Sequence, residues 1–78
     1  MTESELNTAL LKAHADANDG LDVFDQLVEL YYKAYQMTVN KNANAGYFYL
    51  TNAYVYALDS DHNLANHIEK TLNKAGRL

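Results

Sequence analysis

The sequence predicts an all-α domain of four antiparallel helices, arranged as two helical hairpins or a small helical bundle. Three observations carry that prediction. Zero Pro and only three Gly in 78 residues remove most of the turn chemistry that a β fold needs. Four segments repeat their apolar residues at the 3.6-residue spacing of a one-sided helix. The stretch Asn42–Leu58 contains no Asp, Glu, Lys, Arg or His, yet holds four of the seven tyrosines. A helix that is apolar on every side is one that a fold surrounds.

The first helix is announced by Thr2-Glu3-Ser4-Glu5, a hydroxyl three residues before a carboxylate, which is the form of a capping box. Leu6, Ala9, Leu10, Ala13 and Ala17 then fall on one face, with Leu11 off the stripe. Asn18-Asp19-Gly20 ends it, because Gly accepts the left-handed backbone of a helix terminus. A second helix is expected from Leu21 or Asp22. Its main stripe is Phe24, Leu27, Val28, Tyr31, Ala34, Tyr35 and Thr38, and a flanking stripe is Val23, Leu30 and Met37. So wide an apolar arc touches neighbours on two sides.

The third helix is the uncharged stretch. Tyr47, Leu50, Tyr54, Ala57 and Leu58 share one side of the wheel, Phe48 and Val55 another, and Tyr49 and Tyr56 a third. Gly46, Ala53 and Ala57 form a small-residue groove where another helix backbone can approach. Asp59-Ser60-Asp61 offers oxygen caps to a fourth helix, with the stripe Leu64, Ala65, Ile68, Thr71, Leu72 and Ala75 and a terminator at Gly76. Short links make neighbouring helices antiparallel. The expected hairpins span about 3–38 and about 42–76 of a single domain over 1–78.

Laid on itself at an offset of forty, the chain matches weakly. Leu10 and Ala13 meet Leu50 and Ala53, Ala17 meets Ala57, Asp19 meets Asp59, Phe24 meets Leu64, Val28 meets Ile68 and Tyr32 meets Leu72. With Leu50-Thr51-Asn52-Ala53-Tyr54, then Ser60-Asp61 and Ala65, the second half resembles tetratricopeptide repeats, in their Leu-x-x-Ala-Tyr, Gly-Asp and alanine positions. The resemblance covers about half the chain, and its offset of forty differs from that family's period of thirty-four. It implies a helical-hairpin fold used for protein–protein contact, with no catalytic residues to carry over.

Composition narrows the function. A net charge of −4 argues against nucleic acid and against an anionic membrane surface, both of which bind through Lys and Arg. The uncharged stretch is too short and too rich in Asn and Tyr to span a bilayer. The acidic amino terminus lacks the pattern of a secretory signal, so a cytoplasmic protein is expected. With no Cys there is no disulfide and no thiolate metal site.

His62 and His67 are five apart and point to different helix faces, so they do not chelate one metal as an i, i+4 pair does. Asp59-Ser60-Asp61-His62-Asn63 begins like a calcium loop but has Leu64 where the sharp turn needs Gly and Lys70 where a bidentate Glu belongs. No cofactor is expected. Asp16, Asp19, Asp22, Asp25 and Glu29 form an acidic patch, read as complement to a helix amino end and a solvated face. It is also a surface suited to the basic Lys70–Arg77 end of a second subunit.

The tyrosines carry the remaining signal, since Tyr suits places that are apolar at one end and wet at the other. Tyr49 and Tyr56, seven apart on one face, are the first candidates for an interface. Phe48 and Val55 are the alternative pair, and Tyr32, Leu30 and Met37 complete the set. The expected function is non-enzymatic: self-association as a dimer, or contact with another protein. The alternative is a small-molecule-binding bundle with a pocket lined by Tyr and His. An enzyme using His14 or His67 as general base is a third reading.

Overall fold

A computed structural model describes every residue from Met1 to Leu78. The capping box forms: the Thr2 amide donates to Glu5 Oε1 at 3.0 Å, and the Glu5 amide donates to Thr2 Oγ1 at 3.2 Å. Helix α1 then runs Glu3–Asn18. It closes at Gly20, whose φ is +86°. There the Leu21 amide reaches back to the Asp16 carbonyl, and the Gly20 amide to that of Ala17. Those two bonds use carbonyls that a helix end otherwise leaves without partners.

Helix α2 runs Phe24–Thr38, starting later than the sequence suggests. Asp22 does not cap it. Val23 occupies the capping position and supplies no side-chain hydrogen bond. Asn42 caps α3 through its side chain, which accepts from the Ala45 amide at 3.1 Å, and α3 spans Ala43–Ser60. The Asp59-Ser60-Asp61 segment, expected to open α4, instead finishes α3. Asp61 takes the left-handed conformation (φ 54°) at its carboxyl end, a geometry that Asp tolerates better than most residues. Helix α4 is correspondingly short, Ala65–Lys74. Its entry is fixed by His62, whose Nδ1 accepts from the Leu64 amide at 3.0 Å.

The four helices form an up-down-up-down meander. The most extensive packing is between α2 and α3, while α1 packs on α2 and α4 on α3. The result is flattened, 35 × 28 × 15 Å. Helix starts repeat at the sequence offset, Glu3 against Ala43 at forty residues and Phe24 against Ala65 at forty-one. The matched pairs Ala13/Ala53 and Val28/Ile68 are all buried.

Only eleven residues are buried, and none is polar. Val28, Leu50, Ala53, Ala57, Ile68 and Leu72 make one cluster across α2, α3 and α4. Leu6 and Ala13 of α1 and Leu27 and Ala34 of α2 are buried as well. All three residues of the small-residue groove of α3, Gly46, Ala53 and Ala57, are buried, and the close backbone approach is at Gly46. A Cβ on Gly46 would lie 2.5 Å from the Val39 Cα, so the end of α2 rests directly on α3. No helix is long and apolar enough to cross a membrane.

Candidate functional site

Tyr31 and Tyr32 are adjacent on α2 and reach opposite flanking helices. The Tyr31 hydroxyl lies 2.8 Å from His14 Nε2 of α1, and the Tyr32 hydroxyl lies 3.1 Å from His67 Nε2 of α4. Both histidines considered as general bases are therefore engaged by phenols, and α2 ties the two outer helices to the centre of the molecule.

Around each tie lies an aromatic cluster. On the α1 side, Tyr31 stacks on Tyr56 at 5.8 Å between centroids and 12° between planes. Tyr49 lies 6.4 Å from Tyr31, and Phe24 lies 5.5 Å from Tyr56. On the α4 side, Tyr35 lies 5.7 Å from Tyr32 and 5.8 Å from Tyr47. The Arg77 guanidinium sits over Tyr47, 4.9 Å from its centroid, and donates to Asn44 Oδ1 at 2.9 Å. Ring pairs in such tilted and offset geometries add to area burial by about 0.5–1.5 kcal/mol each.

The sequence-predicted interface residues thus fall into two groups. Tyr49 and Tyr56 are half-buried and pack on Tyr31 within the same chain. Tyr32 is half-buried and bonded to His67. Leu30 and Met37 are half-buried on α2. Phe48 stands apart at 65% exposed.

Two neighbours join Phe48 on the outer face of α3: Val55 at 51% and Leu58 at 57% exposed. Sequence reasoning placed Leu58 with the core side of α3, and the structure corrects that. The missed signal is spacing. Phe48, Thr51, Val55 and Leu58 follow the 3–4–3 step of a coiled-coil seam, and Thr51 is exposed as well. The contrast with α2 is sharp, because the exposed residues of α2 are Asp25, Gln26, Glu29, Lys33 and Gln36. No protein-family model, curated protein or solved structure matches this chain.

Concavities are modest. One of about 70 Å³ lies between α1, α2 and α3, lined by residues that include Leu6, Leu10, Ala34, Met37 and Tyr49. It has room for about two waters and falls far below the roughly 300 Å³ of a small-molecule site. Another, of about 460 Å³, is lined by His67, Lys70, Thr71, Asn73 and Lys74. All five belong to the α4 helix, so this space is an open polar surface with no opposing apolar wall. No group of three or more His, Asp or Glu side chains is placed to hold a metal ion.

The phenols set an alkaline limit. Burial, then the neighbouring Tyr56 and Tyr49, push the Tyr31 hydroxyl above its ordinary value. Burial, then Tyr47 and Tyr32, do the same for Tyr35. An unfolded tyrosine ionises near pH 10. The folded chain therefore holds protons that the unfolded chain has released, and rising pH favours unfolding. The contribution of these two tyrosines is expected to be constant below about pH 10 and to fall as pH climbs through the raised values. Phenolate absorbance followed beside circular dichroism checks this. Ionisation of all seven tyrosines in one step, with helicity intact, would contradict it.

Proposed function

We propose that this chain acts by protein association, itself included, through the exposed face of α3, with no chemistry of its own. The observation that carries this reading is the apolar row Phe48, Val55 and Leu58, exposed along α3 beside Thr51 and bounded by the charge of Asp59 only at its carboxyl end. Scattered exposed hydrophobics are ordinary on a protein surface. Three at seam spacing on one helix, beside uncharged Asn44, Thr51 and Asn52, form a continuous surface of the kind that marks a contact site. The helical-hairpin resemblance points the same way.

The half-buried tyrosines support this surface from behind. Tyr49 lies 6.0 Å from Phe48, edge to face, and Tyr49 and Tyr56 both lean on Tyr31. Replacing Tyr49 and Tyr56 would disturb the α1 side of the fold as well as any contact, so Phe48 is the cleaner probe. Phe48→Glu is expected to leave the helical content unchanged and to raise the dissociation constant for self-association at least ~30-fold, the effect of losing one central anchor. Sedimentation velocity over a concentration series reads this directly. A wild-type chain that stays monomeric throughout, or a variant that associates as well as wild type, would sink the proposal.

A further inference from the structure

The meander sorts charge along the molecule. Asp16, Asp19, Asp22 and Asp25 lie at the α1–α2 link and its flanks, and Asp59 and Asp61 at the end of α3. The 5.5 Å approach of Phe24 to Tyr56 sets the start of α2 beside the last turns of α3. All six aspartates of the chain therefore gather in one half. The one base among them is Lys12, whose Nζ lies 3.0 Å from Asp16 Oδ2.

The other half holds the remaining bases. Lys33 is in the second half of α2, Lys41 in the α2–α3 link, and Lys70, Lys74 and Arg77 in the later part of α4 and beyond it. Arg77 lies against Tyr47 near the start of α3. The nearby acids in this half are Glu3 and Glu5, while Glu29 and Glu69 sit nearer the middle of their helices. Antiparallel helices cancel one another's macrodipoles, so these side chains set the field. The molecule is negative at one end and positive at the other.

The α3 row runs along that axis between the two ends and carries no charge. We infer that its occupant is α3 of a second copy, packed antiparallel so that the aspartate half of each chain faces the basic half of the other. This inference rests on the association reading above and adds the partner and its orientation. Parallel packing would set six aspartates against six at one end. Antiparallel packing opposes unlike charge at both ends, the arrangement that fixes register and discriminates against the alternative.

The row also fits its own reverse. With the chains antiparallel, Phe48 meets Leu58 of the second copy and Thr51 meets its Val55, and the same two pairs recur across the twofold axis. A twofold contact of this kind closes on itself and gives a dimer. Its strength is limited by size. A standard interface covers about 800 Å² per partner, about a sixth of the chain's 5075 Å², whereas the row spans only about 15 Å of helix. The dimer is reversible, with a dissociation constant on the order of micromolar.

The chain has no cysteine, so orientation can be read by disulfide capture. Thr51→Cys and Val55→Cys, one of them isotopically labelled, are mixed in equal amounts at a concentration where wild type dimerises. They are then equilibrated with oxidised glutathione, which accepts the two electrons and leaves as the thiol, and weighed intact. Both positions are exposed, so neither change disturbs the core. The expected product is the mixed Thr51→Cys/Val55→Cys disulfide, in at least ~10-fold excess over either homodimer, as face-to-face placement requires. Predominance of the Thr51→Cys homodimer would establish a parallel pair and overturn the inference. No disulfide at all, from chains that sediment as dimers, would place the contact elsewhere and overturn it too. Failure of the association reading looks different, because wild type would then remain monomeric and Phe48→Glu would change nothing.

Discussion

Gly46→Ala is expected to destabilise this protein severely, although Ala is the better helix former. The exchange gains about 1 kcal/mol in helix preference. Against that, the new methyl would lie 2.5 Å from the Val39 Cα, 2.7 Å from its Cβ and 2.9 Å from its amide nitrogen. Carbon atoms pack at about 3.5–4.0 Å, so the end of α2 must move by about 1 Å. The atoms in the way are mainly backbone, next to a short link that pins both helices. Overpacking of this kind costs about 1–3 kcal/mol and occasionally more, and here the upper end applies.

With a net loss of about 2–3 kcal/mol, the melting temperature should fall by about 10–20 °C. The whole domain has only about 4–12 kcal/mol to lose. Val39→Ala should not rescue the variant, because truncating that side chain leaves the Cα where it is. Thermal denaturation of the single and double variants decides the matter. A Gly46→Ala protein as stable as wild type would show that α2 and α3 do not approach so closely.

Ile68→Ala should release α4. A ten-residue helix is marginal by itself in water, and this one has no side-chain cap at its amino end. Its two fully buried residues are Ile68 and Leu72, both in the cluster with Val28, Leu50, Ala53 and Ala57. Removing a buried Ile side chain costs about 2–5 kcal/mol. Most of what remains on α4 is exposed polar contact, such as the 3.3 Å bond from the Tyr54 hydroxyl to Glu69 Oε1. Amide exchange should therefore accelerate across Ala65–Lys74 before it does in α2 and α3, with loss of the Tyr32–His67 and Arg77–Tyr47 contacts. Uniform acceleration across all four helices would instead make the domain a single cooperative unit.

Much of the architecture was legible because local chemistry repeats it. The Thr2–Glu5 box and Gly20 bound α1, and Gly46, Ala53 and Ala57 pointed to a close helix approach that Gly46 makes against Val39. Elements were misjudged where two local readings compete. Asp59, Ser60 and Asp61 are good helix starters, but the chain uses Asp61 in the left-handed turn that closes α3. The start of α2, expected at Leu21 or Asp22, falls at Phe24.

The candidate site was less legible than the fold, for a related reason. A helix with polar residues on one side advertises which face is outside, and α2 does so with Asp25, Glu29 and Lys33. Helix α3 has no charged side until Asp59, so its wheel cannot rank Tyr49 and Tyr56 against Phe48, Val55 and Leu58. Which apolar residues are covered depends on where α1 and α4 lie.

The sequence alone therefore determined four helices, their antiparallel order and most of their inward faces, because helix caps and 3.6-residue periodicity act over a few residues. Only the tertiary structure decided that Tyr31 and Tyr32 clamp α1 and α4 through His14 and His67. Only it left Phe48, Val55 and Leu58 outside and gathered six aspartates from two distant links into one half. Those outcomes depend on which helices meet in space, and side-chain spacing along one helix carries no record of what lies across from it.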